Sequence, residues 1–567
     1  MQSYAGYLAP RARCVVEFGC GEGKTGREFR QIQPACRYIG IDQDPAKLQS
    51  AVKVLDQVEQ SDFSSLELGH HGIYGADCLL YHSRFVCLKG LPQKLAEQAA
   101  LLREGGQVVF VLENPGYYAH VLSLWRGEAL AVDTSLTMSV LLHILEQAGL
   151  KIDRIHSEYD LKDRGVRESQ EMQSLLHSFV SLCQKMKLGA KTDIWAKRFV
   201  VVAGKMEPPA PGMMIQTFIG EHAACAKVRV HEPDKFCQTM FNVHCEVDRN
   251  LVMDLGHARP YRDKIVIRQR MQINKPEALR DMVPLIREGF LFVFEIDDNP
   301  FLWKKAYERM YYADFTCCHA IQVSTPALAE LMKPFNPNIV VFRNQLERLP
   351  APRVYAAEDA PVTLFFGALN RWNDWKEIMP VINEALHKYG DKLQVKVLFD
   401  QKFYEALETE NKEFCSGQFP KNFAPYEVYE QVLRSSDIAL LPLLDTQFNA
   451  MKSDLKFIEC AGNGTVVLAS PTVYEDTVRH GRTGFIYHDV EEFRNYLFLL
   501  IEDRERRLEV ARDAYAYVRE NRLLSQHYEE RIAFYRSLSE RKQEIDGLVL
   551  KRIADVLQKL EVAVHAD

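Results

Sequence analysis

Near the start of the chain, a glycine-rich turn lies between two short apolar runs. Residues 15–23 read VVEFGCGEG, and the second run, YIGID, ends at Asp42. Gly19, Gly21 and Gly23 lack a Cβ atom, so the backbone can turn sharply there and approach a ligand closely. The carboxylate at the end of the second run can accept hydrogen bonds from ribose hydroxyls. The pattern predicts a strand–turn–helix–strand unit that holds an adenosine-bearing cofactor.

The spacing of the glycines separates two classes of cofactor, because dinucleotide folds use G-x-G-x-x-G and this turn reads E-x-G-x-G-x-G. The turn resembles motif I of class I S-adenosylmethionine-dependent methyltransferases, and LLREGGQVVFV at 101–111 resembles a later part of that fold. The resemblance covers roughly the first 205 residues and implies S-adenosylmethionine as cofactor. It assigns cofactor binding to Glu17, Gly19, Gly21, Gly23, Asp42, Asp62 and Phe63. The alternative is an ordinary tight turn that binds no ligand.

Two residues on the acceptor side of this first domain follow later predicted strands. His82, in the segment YHSR, can act as a general base because imidazole titrates near neutral pH. A loop histidine without a catalytic role fits the sequence equally well. By the resemblance, Asn114 orients the cofactor or the acceptor, but the sequence does not name the methyl acceptor.

Length, charge and cysteine content limit what kind of protein this chain can be. A chain of 567 residues exceeds two typical domains, and its net charge of -7 gives no basic face for nucleic acid. No apolar run reaches the 18 or more residues of a membrane helix. The thirteen cysteines are scattered without metal-ligand spacing and are expected to be buried thiols in a reducing compartment. We therefore expect a cytoplasmic protein without a transmembrane segment.

Proline-rich stretches predict the domain boundaries. EPPAPG at 207–212 can form neither a helix nor a strand ladder, and a second candidate boundary runs from LPAP at 349–352 to Pro361. Before the first break, a helix is predicted over 168–187 and a strand over 199–203. After 537 an amphipathic helix is predicted, which can dock on its own chain, pair with a second copy or, less favourably, touch a membrane. The predicted domains are 1–206, 213–350, 361–530 and a helical tail at 537–567.

In both later blocks, short apolar runs alternate with helical patterns. This alternation predicts parallel sheets covered by helices on both faces, with ligands at the carboxyl ends of the strands. The expected fold is thus α/β throughout: a Rossmann-like domain, then two facing Rossmann-like domains and a helical tail. The predicted strands are 213–218, 264–268, 291–296, 320–323 and 339–342 in the middle block, and 363–366, 394–398, 438–442 and 466–470 in the last.

The last block carries a nucleotide-sugar motif. Residues 449–470, NAMKSDLKFIECAGNGTVVLAS, resemble the donor site of GT-B glycosyltransferases, close to the retaining family 4 group. A helix that begins near Ser453 offers its N-terminus to a diphosphate, and Glu459 can bind ribose hydroxyls. The family has a second glutamate where this chain has Met451, and a proline where it has Thr465. The donor contact of the missing glutamate can be made instead by Lys452, Ser453, Asp454 or Lys456.

Further residues complete the predicted donor and acceptor sites over roughly 213–530. By the resemblance, Gly367 permits close approach, while Arg371 and Lys376 neutralise the leaving diphosphate. Arg229 is predicted to contact a phosphate. Asp297 and Asp298 end a strand and are predicted as the acidic residues of the site, with helix capping as the alternative and with no metal site expected.

The fusion of these two resemblances predicts a bifunctional enzyme of glycan assembly. A nucleotide sugar is the expected donor, and a glycan, a lipid-linked glycan or a protein is the expected acceptor. The C-terminal helix is a possible contact between copies of the chain. Two alternatives stay open: a glycosyltransferase whose first domain is a cofactor-binding or scaffold module, and a nucleotide-sugar epimerase.

Overall fold

The computed structural model describes residues 3–63, 75–86, 90–128, 136–160, 193, 195–205, 212–220, 224–248, 258–368, 371–416 and 424–564, with isolated positions between 162 and 174. By compactness the chain divides into two units. The first comprises Met1–Ala210 with Thr239–Asn242, and the second comprises Pro211–Gln238 with Val243–Asp567. Each unit is described by itself below.

The first unit is built on one seven-stranded sheet. Its strands are β1 (Cys14–Phe18), β2 (Arg37–Asp42), β3 (Gln57–Gln60), β4 (Ala76–His82), β5 (Leu102–Glu113), β6 (Lys151–Tyr159) and β7 (Ala196–Gly204), and its helices are α1 (Lys24–Ile32), α2 (Pro45–Ala51), α3 (Leu91–Ala100), α4 (Tyr118–Trp125) and α5 (Met138–Gln147). The strand order is β3-β2-β1-β4-β5-β7-β6. β1 to β5 are parallel, and β7 is antiparallel to both of its neighbours.

The order of this sheet explains where a ligand site can form. The chain moves outward from β1 through β2 to β3, and then returns to β4 on the other side of β1. The crevice at the carboxyl ends of β1 and β4 is therefore a switch point, where open α/β sheets bind ligands. All five residues of β1 are buried, because helices cover both faces of a central parallel strand.

The second unit contains two six-stranded sheets, of which the first begins at residue 213. Its strands are β8 (Met213–Ile219), β9 (Val243–Asp248), β10 (Asp263–Gln269), β11 (Phe290–Ile296), β12 (Ala320–Val323) and β13 (Ile339–Val341), in the order β13-β12-β11-β10-β8-β9. All pairs are parallel. A π-helical turn at Lys227–His231 precedes α6 (Glu232–Cys237), and the further helices are α7 (Pro276–Arg287), α8 (Lys304–Arg309), α9 (Ala313–Thr316) and α10 (Pro326–Met332).

The second sheet of this unit is also parallel. Its strands are β14 (Val362–Gly367), β15 (Leu393–Leu398), β16 (Lys412–Phe414), β17 (Ile438–Leu441), β18 (Val466–Ala469) and β19 (Phe485–Ile486), in the order β16-β15-β14-β17-β18-β19. The helices are α11 (Trp372–Trp375), α12 (Met379–Tyr389), α13 (Gln401–Ala406), α14 (Tyr426–Arg434), α15 (Leu455–Gly462), α16 (Pro471–Tyr474) and α17 (Val490–Glu502). The reversal of strand order between β14 and β17 creates a switch point in this sheet as well.

Three helices end the described part of the second unit; the first packs on α15 and β18 of the second sheet, and the other two return to the first sheet. They are α18 (Arg504–Asn521), α19 (Tyr528–Glu540) and α20 (Lys542–Val564). α19 packs on α6 and β10, and α20 packs on α7 and α9. Ile545, Val549, Ile553 and Val556 are spaced on one face of α20 and are buried. The predicted amphipathic tail thus docks on its own chain.

The predicted α/β fold class is confirmed, and every apolar run predicted as a strand in the second unit forms one. The predicted helix at 168–187 and most of the predicted linker at 207–212 lie outside the described residues. The predicted domain boundaries stay predictions. Within the described part of the chain, no helix combines the length and the apolar character that crossing a membrane requires.

Candidate functional sites

The glycine turn of the first unit has the backbone that its sequence requires. Gly19, Gly21 and Gly23 have φ values of 87°, 56° and 77°, in the left-handed region that favours glycine. A Cβ on Gly19 would lie 2.9 Å from the Cβ of Phe85. The Asp42 carboxylate accepts from the N–H of Gly21 at 2.9 Å and from that of Asp44 at 3.0 Å. A carboxylate has about four acceptor positions, so it can still accept from ribose hydroxyls.

Glu17 lies beneath this turn with no solvent exposure, and its two carboxylate oxygens have different partners. Oε2 accepts from the Tyr38 hydroxyl at 2.9 Å, and Oε1 lies 2.8 Å from Nε2 of His82. Burial, followed by the charge of Glu17, raises the pKa of Tyr38 well above its usual value, so this hydroxyl keeps its proton and donates. The sequence assigned Glu17 to the cofactor and His82 to the acceptor without indicating that they touch.

The remaining predicted residues of the first unit differ in surroundings. Asp62 is exposed after β3, whereas Phe63 is buried and packs edge-on against Tyr81 and Phe85. The Asn114 amide donates to the carbonyls of Asp193 and Ala196, and its oxygen accepts from the N–H of Gly116. Asn114 is 1% exposed, so these internal bonds hold the loop after β5 in place. Its predicted contact with a ligand stays a prediction.

A charged cleft of about 250 Å³ lies in the second unit, at the carboxyl ends of the strands of both sheets. The first sheet contributes Arg270, Asp297 and Asp298, and the second sheet with its helices contributes Arg371, Lys452, Ser453 and Lys456. The apolar part of the lining is Phe366, Ala368, Leu440, Leu441, Pro442, Leu443, Leu455 and Tyr474. The structure thus brings together seven residues of the two sheets, of which the sequence predicted all but Arg270.

Ion pairs hold both aspartates of the first sheet, and Nη2 of Arg270 also lies 3.9 Å from the Asp298 carboxylate. Nε of Arg270 donates to Asp297 at 2.6 Å, and Nζ of Lys452 lies 3.4 Å from both oxygens of Asp298. Arg270 has a φ of 52°, a left-handed conformation that costs a non-glycine residue about 1–3 kcal/mol and is common at functional sites. Sequence analysis missed Arg270, although its position directly after β10 resembles that of Asp297 after β11.

The cations on the second sheet are partly shielded from solvent. Nη1 of Arg371 donates to Asn449 at 2.8 Å and to Asp374 at 3.3 Å. Nζ of Lys456 donates to the Gly367 carbonyl. Burial, with the nearby charge of Arg371, lowers the pKa of Lys456 to about 8, and burial also lowers the pKa of Lys452. Binding of an anion would therefore stabilise the charged form of both lysines.

The start of α15 is fixed by side chains of its own chain. The Asp454 carboxylate accepts from both terminal nitrogens of Arg522, at 2.5 and 2.9 Å, and both residues are buried. The Ser453 hydroxyl accepts from the Asn344 amide at 2.8 Å. Asp454 and Ser453 were predicted to bind the donor; Ser453 lines the cleft, and Asp454 is held in an ion pair beside it. The turn after α15 contains Gly464 in the left-handed conformation, with φ of 76°.

Glu459 lies one turn further along α15 and is 6% exposed. Its oxygens accept from the hydroxyls of Tyr429 at 2.9 Å and Tyr426 at 3.3 Å. Burial raises the pKa of Glu459 to about 7, although these hydrogen bonds act in the opposite direction. Glu232, from the first sheet's side, also has its pKa raised by burial to about 7. Sequence analysis did not identify the two tyrosines as partners of Glu459.

Two predicted donor contacts lie apart from the cleft. Arg229 is 2% exposed in the π-helical turn, where it donates to Glu295 at 2.7 Å and to Asn344 at 2.9 Å. Lys376 borders a separate surface groove together with Trp372. Gly367, in contrast, adjoins the cleft, since its carbonyl accepts from Lys456, and a Cβ there would lie 2.4 Å from the Phe365 ring.

Comparisons with known proteins give one family model and several similar solved structures. Residues 395–537 match a family model described as glycosyl transferase-like. Among solved structures, TarM shares 12% identity over 48% of this chain and 54% of its own, with a TM-score of 0.37, so the match spans about half of TarM. HepE from Anabaena, solved with UDP and glucose, shares 13% over 58% of this chain and 100% of its own, with a TM-score of 0.40. An Archaeoglobus fulgidus SAM-dependent methyltransferase shares 15% over 36% of this chain and 90% of its own, with a TM-score of 0.27.

No curated protein matches the chain. The glycosyltransferase resemblance predicted from the sequence is confirmed by the family model over 395–537, and methyltransferases are found among the similar solved structures.

Proposed function

We propose that the chain is a bifunctional transferase of glycan assembly, with a nucleotide-sugar-dependent glycosyltransferase in the second unit and an S-adenosylmethionine-dependent methyltransferase in the first. The observation that carries the proposal is the cationic cleft beside α15 in a region that matches a glycosyltransferase family. Surface polysaccharide or protein glycosylation is the proposed setting, in the cytoplasm, and by resemblance to the family 4 group the transfer would retain configuration.

In the glycosyltransferase, the cleft residues would stabilise the leaving nucleoside diphosphate. Arg371, Lys452 and Lys456 place positive charge where the bond to the diphosphate breaks, and the N-terminus of α15 adds its dipole. Asp297 and Asp298 supply carboxylates from the opposite wall, where the acceptor hydroxyl and the donor sugar would lie. Met451 cannot take the role of the glutamate that related enzymes have at this position, so these aspartates are the acidic candidates.

In the methyltransferase, the residues at the switch point of the first sheet suit an adenosine-bearing cofactor. The left-handed glycines leave space that a Cβ would fill, and Asp42 has unused acceptor positions for ribose hydroxyls. When bound, S-adenosylmethionine would supply an electrophilic methyl group. His82, at the carboxyl end of β4, would take a proton from the acceptor.

A thermal-shift screen followed by turnover assays tests the glycosyltransferase. We expect one nucleoside diphosphate to raise the melting temperature, and the matching radiolabelled nucleotide sugar to release free nucleotide. Arg371→Ala should abolish both effects, whereas Lys376→Ala, on the separate groove, should preserve them. An isomerised sugar without free nucleotide would establish the epimerase instead, and the absence of both binding and turnover would refute the proposal.

Isothermal titration with S-adenosylmethionine tests the first unit separately. We expect saturable binding that Asp42→Ala abolishes, because this carboxylate is the proposed ribose contact. If the folded protein binds no cofactor, the first unit is a scaffold and the glycosyltransferase alone remains. Binding that persists in Asp42→Ala would overturn the proposed position of the ribose.

A further inference from the structure

His82 and Glu17 form a pair that spans two neighbouring strands at the switch point of the first unit. Phe18 of β1 pairs with Tyr81 of β4 in parallel register, so the next positions, Gly19 and His82, lie side by side. A Cβ on Gly19 would lie 3.3 Å from the Cβ of His82. The imidazole is therefore held directly against the glycine turn.

The surroundings of the pair distinguish the two ring nitrogens of His82. Nε2 lies 2.8 Å from Oε1 of Glu17, whose side chain has no solvent exposure. Within the described residues, Nδ1 has no hydrogen-bond partner. The imidazole is 11% exposed, and the Tyr4 ring packs edge-on against it at 5.3 Å between centroids. One nitrogen is thus engaged by protein and the other is available.

An ionised carboxylate can only accept hydrogen bonds, which decides the tautomer of its partner. Oε2 of Glu17 already accepts from Tyr38, and Oε1 faces Nε2 of His82. Nε2 must then carry the proton, and the lone pair is left on Nδ1. A buried carboxylate that orients a histidine and stabilises its charged form is the arrangement that makes imidazole an effective base.

We infer that Glu17 is a positioning residue that fixes the Nε2–H tautomer of His82, so that Nδ1 is the atom that removes the proton from a methyl acceptor with an O–H or N–H group. This inference rests on the proposed methyltransferase. The acceptor atom forms a bond to the methyl carbon, the carbon–sulfur bond breaks with its electron pair remaining on sulfur, and the acceptor proton passes to Nδ1. The resulting imidazolium is stabilised by Glu17.

The tautomer can be measured without knowing the acceptor. Solid-state NMR of the full chain labelled with 15N-histidine, with His82→Asn to assign the signal, reports which nitrogen is protonated at a pH where the ring is neutral. We expect the Nε2–H form in the wild type. Glu17→Gln should allow both tautomers of His82, because an amide can either accept from Nε2 or donate to it. Tyr38→Phe, which removes only the other hydrogen bond to Glu17, should preserve the tautomer.

Cofactor titration separates this inference from the proposed function. If Glu17 acts through His82, Glu17→Gln should change the S-adenosylmethionine affinity by less than about threefold, while Asp42→Ala abolishes it. An Nδ1–H tautomer in the wild type, or an Nε2–H tautomer that is fully retained in folded Glu17→Gln, overturns the inference. If the wild type does not bind S-adenosylmethionine, the proposed methyltransferase is refuted, whereas the measured tautomer of His82 still holds.

Discussion

Removal of the Asp454–Arg522 ion pair should destabilise the second unit strongly. Arg522 is 4% exposed and Asp454 is 7% exposed, and two parallel hydrogen bonds connect them. Arg522 also donates to Gln345 and to the carbonyl of Asn344, so it links the start of α15 to the chain after β13. In Asp454→Asn, a buried guanidinium would lose its counter-charge and keep only these neutral acceptors.

The expected cost follows from the burial of both groups. Loss of one partner from a buried ion pair costs about 3–5 kcal/mol, and the two remaining acceptors place this case near about 3 kcal/mol. At roughly 2 °C per kcal/mol for a large domain, the transition should fall by about 6 °C. Replacement of both residues, in Asp454→Asn with Arg522→Met, should recover part of the loss, with a coupling energy on the order of 2 kcal/mol.

Calorimetry of the four variants in the full chain measures this coupling. Glu384→Gln is a matched control, since Glu384 makes two hydrogen bonds with Arg494 in an exposed pair that solvent screens, so its loss should change the transition little. The reasoning is refuted if Asp454→Asn lowers the transition no more than this control does. It is also refuted if the double variant is as unstable as the sum of the single ones.

Three further outcomes are expected. Gly19→Ala should weaken cofactor binding and lower the melting temperature, because the new Cβ would meet Phe85. The control Gly149→Ala, at φ of 73° in open surroundings, should cost only the backbone strain of about 1 kcal/mol. Cofactor titrations and melting curves of the two variants test this difference. Since burial lowers the pKa of Lys456 to about 8, the affinity for the nucleoside diphosphate should fall as the pH rises through 8. Lys456→Met should bind the nucleotide weakly and show no such fall. A wild-type affinity that is constant between about pH 7 and 9 contradicts this expectation. Glu459→Gln should weaken nucleotide binding mainly above about pH 7, where the wild-type carboxylate is charged, as titrations on both sides of that pH can determine.

The central strands of the sheets were predictable because parallel strands covered on both faces must be apolar. The strand predicted at 320–323 has those bounds in the structure, and Thr325 shortly after it caps α10 by accepting from the N–H of Leu328. Two of the strands that were not predicted carry many polar residues: β9 reads VHCEVD and β6 reads KIDRIHSEY, both at sheet edges. An edge strand needs only one apolar side, so it gives no continuous apolar run.

Motif spacing located the candidate sites but not the partners of their residues. Glu17 and His82 are separated by 65 positions, Arg229 and Glu295 by 66, and Asp454 and Arg522 by 68. Each pair forms because two elements that are distant in sequence meet in space, and local periodicity contains no information on such contacts. Residue type at a motif position therefore predicts where a site lies, while tertiary packing decides whether a side chain faces the ligand or supports another residue.

The charges that line the second unit's cleft suit the proposed transfer, although this chain has Met451 where the resembling family has a glutamate. Four cations, Arg270, Arg371, Lys452 and Lys456, face two carboxylates, Asp297 and Asp298, which leaves an excess of two positive charges when all are ionised. A diphosphate carries opposite charge of similar size, so its binding would compensate the excess and stabilise the charged form of both lysines. Lys452 would then exchange Asp298 for the diphosphate, and this exchange would release the Asp298 carboxylate toward the substrates at the moment when the donor is in place. With methionine at 451, the proposed source of acidic groups is this opposite wall.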